Sequence, residues 1–413
     1  MSEAKSCDVA IAGAGPNGLA MALALGGSRL RRPLAVTVLD AGDPRTRLGG
    51  SHDTRGSALT QATQHLLQVL GLSDNFFDEL QEMRDIKVTD GTGPLSARPS
   101  LLSFATDDKH RAAAAIVENR HLNAALLAAV EQSPQITMLT GQKLTDVSVA
   151  PGKAHIKTES GDSYSAPLLI AADGRASFVR SAAGLTVEGR SHHQVALTFT
   201  MAHALPHGAM AEEHFAADGV FALLPLPGHR SSVVWAMAPE RASNLMALPI
   251  ADFTRQLQDQ VGDHLGEVEL QGSRQAYPLQ TQLASALTAT RVALIGDAAH
   301  LLHPLAGLGL NLGFKDVAAL ADCVHDAVGR GEDHGGPAVL ARYAQWRRFD
   351  TVATTALIDG MNLLFANDNV ALKALRDAGL RLFDHLPPIK TALIGEASGL
   401  TGDLPRLMRG ILP

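Results

Sequence analysis

The chain has 413 residues, of which 46% are hydrophobic and 19% are charged, and its formal net charge at pH 7 is -7. This length predicts two or three domains, and the composition is that of a globular rather than a disordered protein. The net negative charge argues against a nucleic-acid backbone as the partner, because phosphate binding requires a basic surface.

The cysteines and the apolar runs narrow the class of protein further. Only Cys7 and Cys323 are present, without a CxxC pair, so we expect neither a disulfide framework nor a thiolate zinc site. The N-terminus enters a strand pattern without a basic leader, which argues against a signal peptide. The apolar runs are far shorter than the ~20 residues that a membrane span requires. We therefore expect a cytoplasmic protein that at most lies peripherally on the inner face of a membrane.

The first predicted element is a dinucleotide-binding unit. The buried strand Val9–Ala12 runs into the sequence GAGPNG and then into an alanine-rich helix. Gly13 permits the tight turn, Gly15 lets the backbone approach a pyrophosphate, and Gly18 lets the helix pack closely on the strand. The positive end of the helix would face the phosphates.

A second strand, LAVTVLD, ends at Asp40, which lies 22 positions after Gly18. A carboxylate at this place can accept a hydrogen bond from a ribose hydroxyl. An ordinary tight turn would explain the glycines but not the acid, so the combination predicts a cofactor that contains ADP. Either a nicotinamide or a flavin dinucleotide would satisfy this fingerprint.

The stretch from residue 194 to residue 239 follows a different pattern. The segments VALTFTMA, GVFALLPLPG and SSVVWAMAP are rich in β-branched residues and are separated by Gly, Pro and His-Arg turns. Such a pattern predicts an antiparallel sheet.

The segment RVALIGDAAH predicts a strand at 292–295 that breaks at Gly296 and presents Asp297 beyond its carboxyl end. Ligands bind at that edge of a parallel sheet, and a carboxylate there can accept hydrogen bonds from a polyol such as the ribityl chain of FAD. A glycine-rich loop and a helix starting at about Leu310 follow, with apolar residues at helical spacing at Leu312, Val317, Leu320 and Val324. Glycines let the first helical amides approach a flat ring, and a helix N-terminus stabilises the negative charge of a reduced flavin. The pattern therefore favours a flavin over a nicotinamide.

These motifs resemble those of the group A flavin monooxygenases, the superfamily of p-hydroxybenzoate hydroxylase. One family motif is matched by Gly296, Asp297, His300, Pro304, Gly307, Gly309 and Asn311. Another, an acid-glycine pair after a strand, is matched by Asp173 and Gly174. HPLAGLGLNLGFKD, together with FAADGVFALLPLPGHRSSVVWAMAPE and GLTGDLPRLMRG, is most similar to the ubiquinone-biosynthesis hydroxylases, so the likeness covers essentially the whole chain.

The resemblance implies an α/β fold with a Rossmann-like FAD-binding domain, an inserted antiparallel β-sheet substrate domain and a C-terminal helical region. We expect the FAD-binding domain at 1–75, 105–185 and 275–330, the substrate domain at 76–104 and 186–274, and the helical region at 331–413. We expect no conventional catalytic residue, since the flavin carries the chemistry.

The resemblance also assigns residues to the cofactor. Predicted FAD contacts are Gly13, Gly15, Gly18, Asp40, Arg55, Arg120, Asp173, Gly296, Asp297, Pro304, Gly307, Gly309, Asn311 and Leu312. For Arg55 the alternative is a surface charge that caps a helix, and for Arg120 it is a solvated residue in a first helical turn.

The predicted sheet would cover the flavin and form most of the substrate pocket. Candidate lining residues are Phe221, Leu223, Pro225, Trp235 and Leu308, although any of the first four would also suit a plain core. Leu308 stands where the family usually has glutamine beside the flavin. His300 and His303 lack an acidic or thiolate partner at ligand spacing, so we expect no metal.

The resemblance implies an enzyme that binds FAD non-covalently and uses NADPH or NADH together with O2. It would hydroxylate an aromatic, prenylated phenol of ubiquinone biosynthesis through a flavin C4a-hydroperoxide. The alternatives are a hydroxylase of a small soluble aromatic and a flavin-binding member of a quinone-synthesis complex without turnover. A homo-oligomer is a further candidate assembly.

The C-terminal segment carries apolar residues at helical spacing, with basic residues nearby and a final RLMRGILP. This arrangement suits contact with anionic lipid, and the alternative is a helix that packs against the FAD-binding domain. The residues concerned are Leu372, Leu375, Arg376, Arg381, Leu382, Phe383 and Lys390.

Overall fold

The computed structural model describes residues 4–49, 55–90, 100–105, 114–216, 219–303, 307, 309–365, 399–400 and 402–413. The helices are α1 (Pro16–Gly26), α2 (Gln61–Leu70), α3 (Asp74–Asp78), α4 (Asn119–Glu131), α5 (Phe178–Ala182), α6 (Pro239–Ala247), α7 (Ile250–Val261), α8 (Gly309–Arg330) and α9 (Pro337–Phe365).

The strands are β1 (Lys5–Ser6), β2 (Val9–Ala12), β3 (Val36–Leu39), β4 (Gly56–Thr60), β5 (Gln81–Met83), β6 (Asp85–Asp90), β7 (Ser100–Ala105), β8 (Ala114–Glu118), β9 (Ile136–Leu139), β10 (Leu144–Ala150), β11 (Lys153–Thr158), β12 (Ser163–Ala166), β13 (Leu168–Ala171), β14 (Val187–His203), β15 (Met210–Ala216), β16 (Gly219–Leu226), β17 (Arg230–Met237), β18 (Val268–Ala284), β19 (Thr288–Ala289), β20 (Val292–Leu294) and β21 (His300–Leu301).

A six-stranded sheet forms the first layer, with the order β19-β20-β13-β2-β3-β9, and only β19 runs antiparallel to its neighbour. Val9 and Ile11 of β2 pack on α1, α4 and α8, whereas Ala10 and Ala12 pack on the β10-β11-β12 meander. Since both faces are covered, the strands are continuous apolar runs, as parallel strands usually are. The predicted strand Val9–Ala12 is confirmed, and the predicted strand at 292–295 ends one residue earlier.

An eight-stranded sheet forms the second large layer, with the order β21-β18-β14-β17-β16-β15-β6-β7. The strands from residue 194 to residue 239 are antiparallel, as the sequence predicts, while β15 pairs with β6 in parallel. One face of this sheet packs on α6 and α7, and the other faces Leu302 and Leu312, which belong to the loop after β20 and to α8.

The expected domain limits stay a prediction. The limit at residue 275 falls inside β18, which runs as one strand from Val268 to Ala284. The stretch 76–104 contributes β5 to a small sheet with β4 and β8, and β6 to the eight-stranded sheet.

The C-terminal residues 406–408 return to the core. Leu407 and Met408 are buried against α2 within the main apolar cluster. Arg406 forms ion pairs with Asp322 at 2.9 Å and Asp326 at 2.7 Å, both on α8. Leu407 and Met408 therefore belong to the core, and contact of the C-terminal segment with lipid stays a prediction.

The remaining residues of the predicted lipid contact, Leu372 to Lys390, lie outside the described residues. Within the part of the chain that the structure describes, no helix is long and apolar enough to cross a membrane.

A buried carboxylate fastens the segment after α7 to the eight-stranded sheet. Glu212 on β15 accepts hydrogen bonds from His214 at 3.1 Å and His264 at 2.7 Å. Burial would raise the pKa of Glu212, but the hydrogen bonds and charges of His214 and His264 outweigh burial and lower the pKa to about 2. The pKa of Glu212 is therefore lower in the folded protein than in the unfolded chain, where it is ~4.3. The stabilisation is fully present above the pKa of the unfolded chain and is lost as pH falls towards 2.

We expect Glu212→Gln to lower the free energy of unfolding by roughly 2–3 kcal/mol at neutral pH, with the deficit shrinking below pH ~4. Urea unfolding at a series of pH values measures this dependence. Glu159→Gln, at an exposed pair with Lys143, is the control and should have little effect at any pH. If the loss of stability in Glu212→Gln did not change with pH, the ionised carboxylate of Glu212 would not be the source of the stabilisation.

Candidate functional site

Four parallel strands end at one edge of the six-stranded sheet, and a predicted site residue follows each of them. Gly13 follows β2, Asp40 follows β3, Asp173 lies beyond β13, and Gly296 lies beyond β20. Residues from distant parts of the chain thus meet at the carboxyl edge, where ligands bind in open α/β sheets.

The three glycines of the first turn differ in what surrounds them. A Cβ on Gly13, whose φ is +101°, would lie 2.3 Å from the carbonyl oxygen of Ala172, and one on Gly18 would lie 2.0 Å from the oxygen of Gly13. A Cβ on Gly15 would meet no atom within 4 Å. Close backbone packing therefore requires the first and third glycines, and the second borders open space at the N-terminus of α1, where phosphate would bind.

Asp40 is buried, and its carboxylate connects the glycine turn after β2 to the segment that follows β3. Its Oδ2 accepts a hydrogen bond from the Ala14 amide at 2.7 Å, and its Oδ1 accepts from the Gly42 amide at 2.9 Å and from Arg47 at 2.5 Å. The predicted contact with a ribose stays a prediction, and the structure adds a role in shaping the turn.

A cavity of about 330 Å³ lies beside Gly15. Its walls come from the start of α1, the segment after β3, the segment before β4, and α4; the lining residues are Ala14, Gly15, Pro16, Leu19, Pro44, Arg47, Leu48, Arg55, Asn119, Asn123 and Leu127. The polar lining consists of guanidinium and amide groups with no carboxylate. Such a donor set fits a phosphate-bearing dinucleotide.

Of the two predicted arginines, only Arg55 lines this cavity, and its guanidinium also lies 5.0 Å from the centre of the Tyr277 ring. Arg120 instead donates to Glu118 at 3.1 Å and is not part of the described lining. Asn119 and Asn123 face the cavity from the same helix. The sequence analysis did not assign these two asparagines to the site. Their i, i+4 spacing could have indicated a shared role, because residues so spaced lie on one face of a helix.

Hydrogen bonds from other residues of the chain hold the loop that carries the acid-glycine motif, Asp173 and Gly174. Asp173 Oδ2 accepts a hydrogen bond from the Val179 amide at 3.1 Å and caps α5, while its buried Oδ1 has no partner among the described residues. Arg180 donates to the carbonyl oxygens of Arg175 and Ala298, each at 2.9 Å, and so joins this loop to the loop after β20. An unsatisfied carboxylate oxygen here is a candidate contact for a bound ligand.

Asn17 connects the first glycine turn to the second motif. A Cβ on Gly296 would lie 2.2 Å from Asn17 Nδ2, and one on Gly313 would lie 2.3 Å from the same atom. The amide therefore fits only because both of these positions lack a side chain. Sequence reasoning gave Asn17 no role, since only the folded chain brings the two motifs together.

Asp297 lies beyond β20, as predicted, in a short 3-10 turn, and the residue is exposed. Burial raises the pKa of Asp297, and the charges of His300, Arg55 and Arg175 oppose this rise. These charges lessen the rise in the pKa but do not reverse it. An ionised carboxylate accepts hydrogen bonds from hydroxyl groups.

Asn311 positions the loop through its side chain. Its Oδ1 accepts from the Thr60 amide at 3.0 Å and from Thr63 at 2.8 Å, and its Nδ2 donates to the oxygens of Ala58 at 2.7 Å and Gly307 at 3.2 Å. Two acceptor and two donor contacts use the whole capacity of an amide, so this side chain is fully engaged within the protein, and a contact of Asn311 with FAD stays a prediction.

The other members of this motif differ in position. The Leu312 side chain packs into the apolar cluster against the eight-stranded sheet, so only its backbone is available to the predicted site. Gly307 has φ +61°, and a Cβ on Gly309 would meet open space at the start of α8. Pro304 and Leu308 lie outside the described residues.

The predicted substrate residues lie on the other face of the eight-stranded sheet. Phe221, Leu223 and Trp235 are buried in the cluster that packs on α6 and α7, and strand alternation places Pro225 on the same side. Alternation of side chains along a strand defines two faces of the sheet but does not say which face covers the ligand. In this sheet the bulkiest side chains lie on the face that packs on α6 and α7. These residues thus lie on the face away from α8, and their assignment to the substrate pocket stays a prediction.

The face towards α8 carries Ala222, Leu224 and Val234, which are only partly buried. They lie on β16 and β17, which have neighbours on both sides within the sheet. Their exposure therefore comes from open space above the sheet and not from a sheet edge.

We expect Gly313→Ala to lower the free energy of unfolding by about 1–3 kcal/mol, because the new methyl group would displace Asn17. Gly329→Ala is the matched control on α8: its Cβ would meet open space, and we expect a gain of about 0.5–1 kcal/mol. Urea unfolding compares the two variants. A Gly313→Ala protein as stable as Gly329→Ala would show that Asn17 does not brace the two motifs.

Comparisons with known proteins identify the family and the fold. The family described as FAD binding domain matches residues 6–356. The ubiquinone hydroxylase UbiL of Rhodospirillum rubrum is 37% identical over 98% of this chain and 94% of its own length, and the 3-demethoxyubiquinol 3-hydroxylase of Escherichia coli is 30% identical over 95% and 98%. Among solved structures, p-nitrophenol 4-monooxygenase from Pseudomonas putida superposes with a TM-score of 0.78 at 19% identity, covering 96% of this chain and 99% of its own.

The structural likeness confirms the predicted fold class, and the family match confirms FAD as the cofactor. The chain belongs to the FAD-binding domain family and, within it, to the ubiquinone-biosynthesis hydroxylases.

Proposed function

We propose that this protein hydroxylates the aromatic ring of a prenylated phenol in ubiquinone biosynthesis, with NADPH or NADH as electron donor and O2 as oxygen source. When bound, FAD supplies the redox and oxygen-transfer chemistry. The protein binds and orients both partners and keeps water away from them.

The observation that carries this proposal is the open apolar face of the eight-stranded sheet. Ala222, Leu224 and Val234 lie there in part exposed, on the side where Leu302 and Leu312 approach from the flavin loop. An apolar surface beside the flavin loop suits an aromatic ring that carries an apolar tail. The small side chain of Ala222 leaves room for the ring.

The residues that would hold FAD follow from the geometry. The cavity beside Gly15, with Arg47, Asn119 and Asn123, would take the ADP part, and Asp40 would contact its ribose. Asp297 would accept hydrogen bonds from the ribityl hydroxyls. The first amides of α8 would stabilise negative charge on the ring, as helix N-termini do.

The prenylated tail implies contact with a membrane or with a protein that delivers the substrate. We propose peripheral association with the inner face of the membrane, and a quinone-synthesis complex is the alternative source of substrate. Co-sedimentation of the full chain with anionic vesicles tests the first: protein in the pellet supports it, and protein that stays in the supernatant contradicts it.

The function is tested with purified protein, FAD and three phenols: one with a short prenyl chain, its parent without the chain, and one with a carboxylate in its place. We expect the prenylated phenol to stimulate NADPH oxidation most and to yield a product heavier by one oxygen atom. Preference for the carboxylated phenol would identify a hydroxylase of small soluble aromatics. Stimulation by none of the three would contradict the proposal and indicate a flavin-binding protein without turnover on these substrates.

We expect Ala222→Leu to raise KM for the prenylated phenol by ~10-fold or more while leaving FAD affinity unchanged, because added methyl groups would fill the substrate space. Phe221→Leu is the matched control on the opposite face of the same strand. It should cost about 1–2 kcal/mol of stability with little effect on KM. Steady-state kinetics and urea unfolding separate the two effects, and a larger KM change in Phe221→Leu would reverse the assignment of faces.

A further inference from the structure

The open face of the eight-stranded sheet carries parallel rows of side chains. Residues directly opposite each other on neighbouring strands form such a row, because they point to the same side of the sheet. One row contains Val220, Ala236 and Ala196, which are buried together with Leu302 and Leu312. This row is therefore covered by the loop after β20 and by α8.

Another row is covered by the small sheet of β4, β5 and β8. Leu224 packs against the apolar cluster that contains Ala58 and Ile116 of that sheet. Ser232, the partner of Leu224 on β17, is buried, and its hydroxyl accepts a hydrogen bond from the Gly56 amide at 2.8 Å. Covered rows thus border the open face on two sides.

The row between these two stays open, and we call it the central row. Its middle is apolar and its ends are polar. Across the sheet, its members are Glu213 on β15, Ala222 on β16, Val234 on β17, Thr198 on β14 and Gln275 on β18. All of them except Thr198 are only partly buried, so the atoms of a ligand can reach them.

The end of the central row at Gln275 lies beside the cofactor site. β18 pairs with β21, which belongs to the loop after β20. Two positions further along β18, the Tyr277 ring lies 5.0 Å from the guanidinium of Arg55, which lines the cavity for FAD. By contrast, β15, which carries Glu213, is separated from β18 by β14, β17 and β16. A ring that reacts with the flavin must lie close to it, so its substituents come within reach of Gln275.

Tyr277 sets the orientation of the Gln275 amide. Alternation along β18 places both side chains on the same face, and the Tyr277 hydroxyl donates a hydrogen bond to Gln275 Oε1. Since Oε1 faces Tyr277, the donor group Nε2 points away from it. Thr198 lies directly opposite Gln275 and adds a hydroxyl to the same end of the central row.

The spacing and charge of the central row suit a neutral aromatic ring. Neighbouring strands lie about 4.8 Å apart, so Val234 and Gln275, which are two strands apart, are separated by roughly 10 Å. A ring that lies on Val234 and the long side chain of Gln275 can together span this gap. Glu213 places an acid at the opposite end, and two carboxylates in one site repel each other. The central row therefore disfavours a carboxylated ring.

We propose that Gln275 is a specificity-determining residue that donates a hydrogen bond from Nε2 to the phenolic oxygen of the substrate. Tyr277 is a positioning residue, because it acts through the amide that it holds. The inference rests on the proposed function and names the group that the site recognises, which is the oxygen of a neutral phenol.

The test uses the full chain loaded with FAD and without NADPH, so that no turnover occurs. Two ligands are titrated: a phenol with a short prenyl chain, and the same molecule with hydrogen in place of the hydroxyl group. The change in flavin absorbance gives both dissociation constants, and their ratio measures the preference for the phenol. We expect Gln275→Leu to lower this preference about tenfold, because one hydrogen bond is lost, and to leave affinity for the deoxy ligand within about twofold of the parent.

Tyr277→Phe keeps the ring beside Arg55 and removes only the hydroxyl group that holds the amide. We expect it to lower the same preference about threefold. Gln280→Leu is the matched control. Gln280 also accepts a hydrogen bond from a residue two positions away on β18, Gln282 at 2.8 Å, but its side chain lies on the opposite face. The preference of this control should equal that of the parent.

The outcomes separate this inference from the proposed function. An unchanged preference in Gln275→Leu, or equal losses of affinity for both ligands, would overturn the role of Gln275 and leave the proposed function in place. If Gln275→Leu does not fold, an unchanged preference in Tyr277→Phe would overturn the role of Gln275 in the same way. A parent protein that does not bind the prenylated phenol would overturn the proposed function, and this inference with it.

Discussion

The buried carboxylate of Asp316 is the interaction on which the flavin loop depends. It accepts hydrogen bonds from the Gly296 amide, from His300 and from Arg347, and thereby joins the loop after β20 to α8 and α9. Removing one partner of such a buried pair leaves an uncompensated charge and typically costs 3–5 kcal/mol. The geometry of the loop is therefore set by this network as well as by its glycines.

A second constraint is the absence of side chains where the two cofactor motifs meet. Asn17, in the first glycine turn, occupies the space that Cβ atoms on Gly296 and Gly313 would fill. The parallel sheet brings the ends of β2 and β20 close, and the glycines allow the final approach. The ADP-binding turn and the flavin loop thus form one site although most of the chain separates them.

Local patterns were sufficient where a motif and its structure coincide. The strand Val9–Ala12, the acid after β3 and the acid after β20 could all be predicted, because a short apolar run followed by glycine or aspartate specifies its own geometry. Asp40 and Asp297 accordingly lie where the sequence places them. The same holds for the antiparallel strands between residues 194 and 239.

Predictions that needed a tertiary partner were less successful. Strand alternation could not say which face of β16 packs on α6 and α7, so the burial of Phe221 and Trp235 against these helices could not be predicted. The helical phase at the start of α4 directs Asn119 towards the cavity, while Arg120 pairs with Glu118. Asn311 was assigned to FAD from the family motif, and its contacts with Thr60 and Thr63 could not be predicted because these residues are far away in sequence.

We propose that FAD lies along the carboxyl edge of the six-stranded sheet and that the phenol lies between the flavin ring and the open face of the eight-stranded sheet. A crystal structure with FAD and a short-chain prenylated phenol tests it most directly. We expect the ADP part beside Gly15 and Asn119, the ribityl chain at Asp297, and the phenol ring against Ala222 and Val234. A phenol bound on the side of Phe221 and Trp235, or a ribityl chain away from Asp297, would contradict it.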